Sequence, residues 1–208
     1  MSVRSRLFAL TYDRLGARVE KAGLRKRREE LLAGVSGSVL EIGGGTGANL
    51  PFYGRGVVSL TITEPEAPML RRLEKRLREQ GSPAKVVQAP AEDLPFEDDS
   101  FDTAVSTLVL CGVGDQSRAL REVRRVLRPR GQLVFIEHVR SDDQRLAQLQ
   151  ERMNRLNRLV ARCDCNRQTL DAIQSAGFDV AQLERTELNK VPRFVRPLIV
   201  GVATATAN

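Results

Sequence analysis

Residues 38–50 read SVLEIGGGTGANL. Val39, Leu40 and Ile42 are apolar and partly β-branched, which suits a buried central strand. Gly43, Gly44, Gly45 and Gly47 then remove side chains where the backbone must turn sharply and lie against something. Asn49 and Leu50 are expected to open a helix, and a helix N-terminus beside bare backbone amides can hold a polar group. Working outward, Val57–Thr63 (VVSLTIT) reads as the next strand, ending at Glu64. A carboxylate there offers two oxygens to a pair of hydroxyls. Pro65 and Pro68 mark the start of the following helix.

Two cofactors fit this loop. Gly43, Gly45 and Ala48 satisfy the dinucleotide pattern G-x-G-x-x-G/A, with Glu64 about twenty residues on as a ribose acceptor. Glu41, Gly43, Gly45 and Gly47 form E-x-G-x-G-x-G instead, and this resembles motif I of the class I S-adenosylmethionine (SAM) methyltransferases. That resemblance places the acidic residue at the strand end, near the methionine part of SAM. A cofactor carrying an ammonium and a sulfonium has use for a carboxylate, and a pyrophosphate does not. The chemistry favours SAM over NAD.

The 208 residues suffice for one well-buried α/β domain, and no repeat or long Pro/Ser linker divides them. The net charge of +7 raises the question of an anionic partner. The arginines, however, are spread along the chain and interleaved with glutamates. With 4% aromatics and no Trp, platforms for stacking bases are scarce. Nucleic acid is therefore not the expected partner. Three cysteines, an odd number without a secretory signal, fit a reducing cytoplasm. No apolar run approaches the roughly twenty residues that span a bilayer. The cluster Arg25, Lys26, Arg27, Arg28 leaves weak peripheral contact with anionic lipid open.

Residues 2–33 read as helical, and residues 1–34 are expected to form a lid, with Phe8 and Tyr12 over the cofactor, as the resemblance implies. Ala89–Phe96 (APAEDLPF) resembles the G-D-A-E-x-L-P-F segment of the ubiquinone-biosynthesis-type methyltransferases, which lies against the adenine. Pro90 stands where that family has Asp, so the Ala91 amide and Glu92 become the adenine candidates. Residues 101–110 read as a fourth strand. Ligands of open α/β sheets bind beyond the C-terminal strand ends, so Thr107 and Leu108 should border the sulfonium and Cys111 the substrate side. Residues 132–139 make a fifth strand with Glu137 and His138 near its end. A polar helix over 141–160 places Leu146, Leu149, Met153, Leu156 and Leu159 on one face. Strands over 178–188 and 197–205, with no helix between them, are expected to pair antiparallel. The implied fold is α/β: a Rossmann-like, doubly wound, mostly parallel seven-stranded sheet with a C-terminal antiparallel hairpin, occupying residues 35–208.

The segments TLVLCGV, REVRRVLRPRG, EHV and CNRQTL resemble the methyltransferase-like microsomal alkyl-thiol S-methyltransferases. Those relatives carry a hydrophobic N-terminal anchor with no counterpart in this sequence, so membrane residence is not carried over. The implied activity is transfer of a methyl group from SAM to a small thiol, phenolic or apolar acceptor, leaving S-adenosylhomocysteine (SAH). In-line transfer needs mainly orientation. His138, the sole histidine, is the candidate base for an acceptor that arrives protonated. A thiol needs little such help. Cys163 and Cys165, in C-x-C without a nearby His or second pair, fall short of a zinc site. The rival readings are an NAD-linked oxidoreductase and a SAM-binding module without catalysis.

Overall fold

The computed structural model describes Ala17 and residues 19–206. The expected lid residues Phe8 and Tyr12 lie outside that range. Seven strands form one sheet: β1 (Gly37–Ile42), β2 (Val57–Thr63), β3 (Lys85–Val87), β4 (Phe101–Thr107), β5 (Leu127–His138), β6 (Phe178–Glu187) and β7 (Pro197–Ala205). Their spatial order is β3-β2-β1-β4-β5-β7-β6. The first five run parallel, and β7 is antiparallel to both β5 and β6. β1 lies between β2 and β4, which explains its apolar run: its last four residues are buried. The chain order reverses between β1 and β4, and the crevice beyond their C-terminal ends is where such sheets bind ligands.

Side chains alternate between two cores, as the period of a strand requires. Leu40, Ala104, Leu133 and Phe135 pack on one face with Leu120, Val123 and Val126, while Val39, Val105 and Val134 pack on the other with Leu32 and Val35. The helices are α1 (Arg25–Leu32), α2 (Ala67–Gln80), α3 (Gln116–Val126), α4 (Gln144–Ala161) and α5 (Thr169–Ser175). α2 buries Met69, Leu73 and Leu77 at helical spacing and stops at Gly81 in the left-handed region. The Asp115 carboxylate caps α3 by accepting from the Arg118 amide. A π-helical turn over Glu20–Leu24, with Gly23 at φ 120°, leads into α1.

Several expectations are corrected. The glycine loop leads into a single 3-10 turn, Leu50–Phe52, and Tyr53 is already extended. β4 stops at Thr107 because Leu108 turns to φ 58°. β5 begins at Leu127, directly from α3, ahead of the start at residue 132 that was expected. The last two strands do pair antiparallel, with β6 at the sheet edge, but a 3-10 turn, Arg193–Val195, lies in the connection expected to hold no helix.

The largest departure is the orientation of α4. Its buried face carries Ala147, Gln150 and Asn157. Leu149, Leu156, Leu159 and Val160 are exposed. The Gln150 amide is used at both ends: Nε2 donates to the carbonyls of Val139, Cys165 and Phe194, and Oε1 accepts from the Ser141 amide, whereas Asn154 Oδ1 is buried without a partner. Asn157 donates to the Cys163 carbonyl and Asn154 to the Asp164 carboxylate. A helix can turn polar residues inward when each finds partners. α4 thereby holds the segment that follows it across the crevice.

Candidate functional site

Glu41, at the C-terminal end of β1, is 3% exposed. Its carboxylate accepts from Asn49 Nδ2 at 3.0 Å and from the Tyr53 hydroxyl at 2.7 Å. Asn49 Nδ2 also reaches Thr107 Oγ1 at 3.1 Å, and Asn49 Oδ1 accepts from Arg28 of α1. Arg28 is itself held by Glu20 at 3.0 Å. Burial raises the Glu41 pKa to about 7, against the pull of Tyr53, Arg28 and Asn49. Near neutral pH this is a carboxylate that a further cation would drive into its charged form.

The turn beside it is shaped by missing side chains. Gly43, Gly45 and Gly47 have positive φ. A Cβ at Gly44 would stand 2.2 Å from Ile62 Cγ2, and one at Gly43 2.8 Å from Val109. At the end of β2, Glu64 accepts from the amides of Gly45 and Glu66, each at 2.9 Å. Burial raises its pKa too. Two acids thus flank a bare glycine turn, one at each of two adjacent strand ends. The set fits a cofactor with an ammonium at one end and a ribose diol at the other. It suits a pyrophosphate poorly.

Other expected positions lie around this centre. Thr107 joins it through Asn49, and Leu108 packs into the cluster of Leu24, Ile136 and Leu198. Ala91 is buried in the main core, while the exposed Pro65 gives its carbonyl to Gln88. The Glu92 carboxylate turns to the amides of Gly114 and Asp115, at 2.7 and 3.3 Å, and so braces the entry to α3. Cys111 is buried beyond β4, and His138 is 8% exposed at the end of β5.

The turn after β4 is organised by Glu137, near the end of β5. Glu137 is fully buried and accepts from Ser106 Oγ at 2.6 Å and from the amides of Val109, Leu110 and Cys111 at 3.0, 3.1 and 3.3 Å. It fixes the whole turn after β4. Its only signal in the sequence is an acid at the end of an apolar strand. His138 Nδ1 lies 4.0 Å from Cys163 Sγ, and its Nε2 is buried with no hydrogen-bond partner. Burial pulls the imidazole pKa down, but Cys163 and Glu137 outweigh it and leave it raised. Arg162 reaches Glu66 at 2.7 Å, tying the segment after α4 to the start of α2. Among the described residues, no group of three or more His, Cys, Asp or Glu side chains converges to hold a metal ion.

Comparison with known proteins matches residues 40–135 to the methyltransferase domain family. The chain is 35% identical to the human thiol S-methyltransferase TMT1A, over 82% of this chain and 72% of that protein. It is 37% identical to human TMT1B, over 83% and 73%. A SAM-dependent methyltransferase structure from Thermotoga maritima shares the fold with a TM-score of 0.73, 22% identity and coverage of 99% and 100%. The sheet order, the acid-flanked glycine turn and these relatives agree: the chain belongs to the class I SAM-dependent methyltransferases.

Proposed function

We propose that the protein methylates a small thiol, with phenolic or other apolar small molecules as the wider acceptor class. The observation that carries this reading is the unpartnered Nε2 of His138, buried beyond β5 and beside the turn that Glu137 fixes. Such a polar atom calls for a partner, and a protonated acceptor supplies one. The thiol preference draws support from the human relatives.

In this reading Glu41 and Asn49 take the methionine end of SAM, Gly43, Gly44, Gly45 and Gly47 give it backbone contact, and Glu64 takes the ribose. Pro65 and the Ala91 amide line the adenine side, with Glu92 beside them holding the entry to α3. Thr107 and Leu108 border the sulfonium, and Cys111 and His138 face the acceptor. Bound SAM supplies a methyl group already activated by its sulfonium. The chain supplies orientation, exclusion of water and, at His138 Nε2, a place for the acceptor's proton. α1 covers this side of the cofactor turn; the contact of Arg28 with Asn49 supports this, since it joins α1 to the glycine loop. No described helix is long and apolar enough to cross a membrane, and three unpaired cysteines support a cytoplasmic placement.

The test is SAH release from SAM with an alkyl thiol, a phenol and no acceptor. Release that depends on the thiol is expected. If no acceptor raises SAH above the blank, the thiol reading falls.

A further inference from the structure

The cysteines beyond β4 and α4 are arranged as a reacting set. Cys163 is half-buried, whereas Cys111 and Cys165 are buried, and all three are unpaired. The Asp164 amide donates to the Cys111 carbonyl at 2.7 Å, which lays residues 163–165 against the chain after β4. The Cys111 and Cys163 thiols are near enough to influence one another's ionisation, and His138 Nδ1 stands 4.0 Å from the Cys163 sulfur. Cys163 therefore stands beside an imidazole and next to the chain segment that carries a second thiol.

We propose that Cys163 is a covalent acceptor site for low-molecular-weight disulfides, with His138 as its charge partner and Cys111 as the resolving thiol. The Cys163 thiolate attacks one sulfur of the small disulfide and forms a mixed disulfide, and the other half leaves as a thiolate. Cys111 then passes its proton to the thiolate released in the first step and attacks the Cys163 sulfur, expelling the second half as a thiolate. The small disulfide is reduced to two thiols, and the two cysteines are oxidised to one Cys111–Cys163 disulfide. No further oxidant is needed.

The surroundings favour Cys163 over its neighbours. The Cys111 thiol and the charge of His138 lower its pKa to about 5, against burial and the nearby Asp164. Cys111 moves the opposite way, pushed up by Cys163, by burial and by Glu137, with Arg167 opposing. Burial and the neighbouring Cys163 push Cys165 up to about 12. A thiolate reacts and a thiol does not, so attack begins at Cys163. This site does not depend on the identity of the methyl acceptor.

The experiment treats the full chain with an aromatic disulfide, 5,5′-dithiobis(2-nitrobenzoate), at pH 6 and pH 8. Released nitrothiobenzoate is followed by absorbance and the product by intact mass. The wild type is expected to release two equivalents rapidly at both pH values and to end without an adduct. Cys111→Ser is expected to release one equivalent and retain the adduct on Cys163. Cys163→Ser is expected to react at least about tenfold more slowly at pH 6, where ordinary thiols are protonated. Equal rates for Cys163→Ser and wild type at pH 6 would overturn the proposal. So would a wild-type product that keeps its adduct. Circular dichroism of each variant separates loss of reactivity from loss of folding.

Discussion

The two halves of the crevice are built by opposite means. The cofactor half, from β1 to α2, is made of absent side chains and short-range contacts: Glu41 meets Asn49 eight residues on, and Glu64 meets Gly45 nineteen residues back. The acceptor half, from β4 to β7, is made of buried polar groups joined over long stretches. Glu137 reaches back 26 to 31 residues to the turn after β4, and Gln150 reaches 44 residues on to Phe194. The first half is rigid because nothing else fits there. The second is rigid only while each buried donor keeps its acceptor.

That difference predicts unequal responses to mutation. Glu137→Ala should be the most damaging change, because it leaves one hydroxyl and three amide donors unpaired in the core. At about 1–3 kcal/mol for each orphaned group, partly relieved by water, a loss of about 4 kcal/mol is expected. A thermal melt lowered by about 10 °C would show it; an unchanged melt would remove Glu137 as the organiser of this half. Gln150→Ala should follow at about 2–3 kcal/mol, whereas Leu156→Gln on the outward face of the same helix should change stability by less than about 0.5 kcal/mol. Chemical denaturation of the pair tests the inverted face of α4.

Substitutions in the cofactor half should spare stability more than binding. Glu41 titrates in the folded chain at about 7, above its ordinary 4.5. The folded state therefore holds a proton that the unfolded state has lost, and stability falls as pH rises from about 4.5 to about 7. Glu41→Gln should flatten that decline and leave the protein more stable at pH 8, by on the order of 3 kcal/mol at most. SAH affinity of the wild type should run the other way. It should tighten from pH 6 to pH 8 as Glu41 ionises to meet the ligand's ammonium, and calorimetry at the two pH values checks this. An affinity that weakens over the same interval would break the link between Glu41 and the ligand.

A smaller effect joins the cysteine to the base. Removing the Cys163 thiolate leaves burial as the largest influence on His138 and lowers its pKa. The pH–rate profile of Cys163→Ser should shift toward acid relative to the wild type, by up to about one unit. An unshifted profile would mean that His138 does not hold the acceptor's proton.

The same contrast explains what could be read in the sequence. Residues 38–50 carried the fold because the strand, the glycines and the flanking acids act locally, and the strand order follows from the family they point to. Arg28 and Glu137 were not identifiable from local pattern, since their partners in the site lie 21 to 31 residues away, and Tyr53 belongs to no motif that ties it to Glu41, twelve residues back. Hydrophobic periodicity found the apolar stripe of α4 but not its direction, because burial there is decided by Gln150 and Asn157 finding carbonyls. Glu92 was read beside the adenine from its segment; its carboxylate is engaged 22 residues on, by the amide of Gly114. Local pattern places such a residue on the chain but cannot assign its bond.

The most direct measurement is calorimetric SAH binding to the wild type, Glu41→Ala and His138→Gln at pH 8. The division of the crevice predicts that Glu41→Ala loses at least about a hundredfold in affinity, on the order of 3 kcal/mol, while His138→Gln binds SAH like the wild type. Equal affinity of all three, or a larger loss in His138→Gln than in Glu41→Ala, would contradict it.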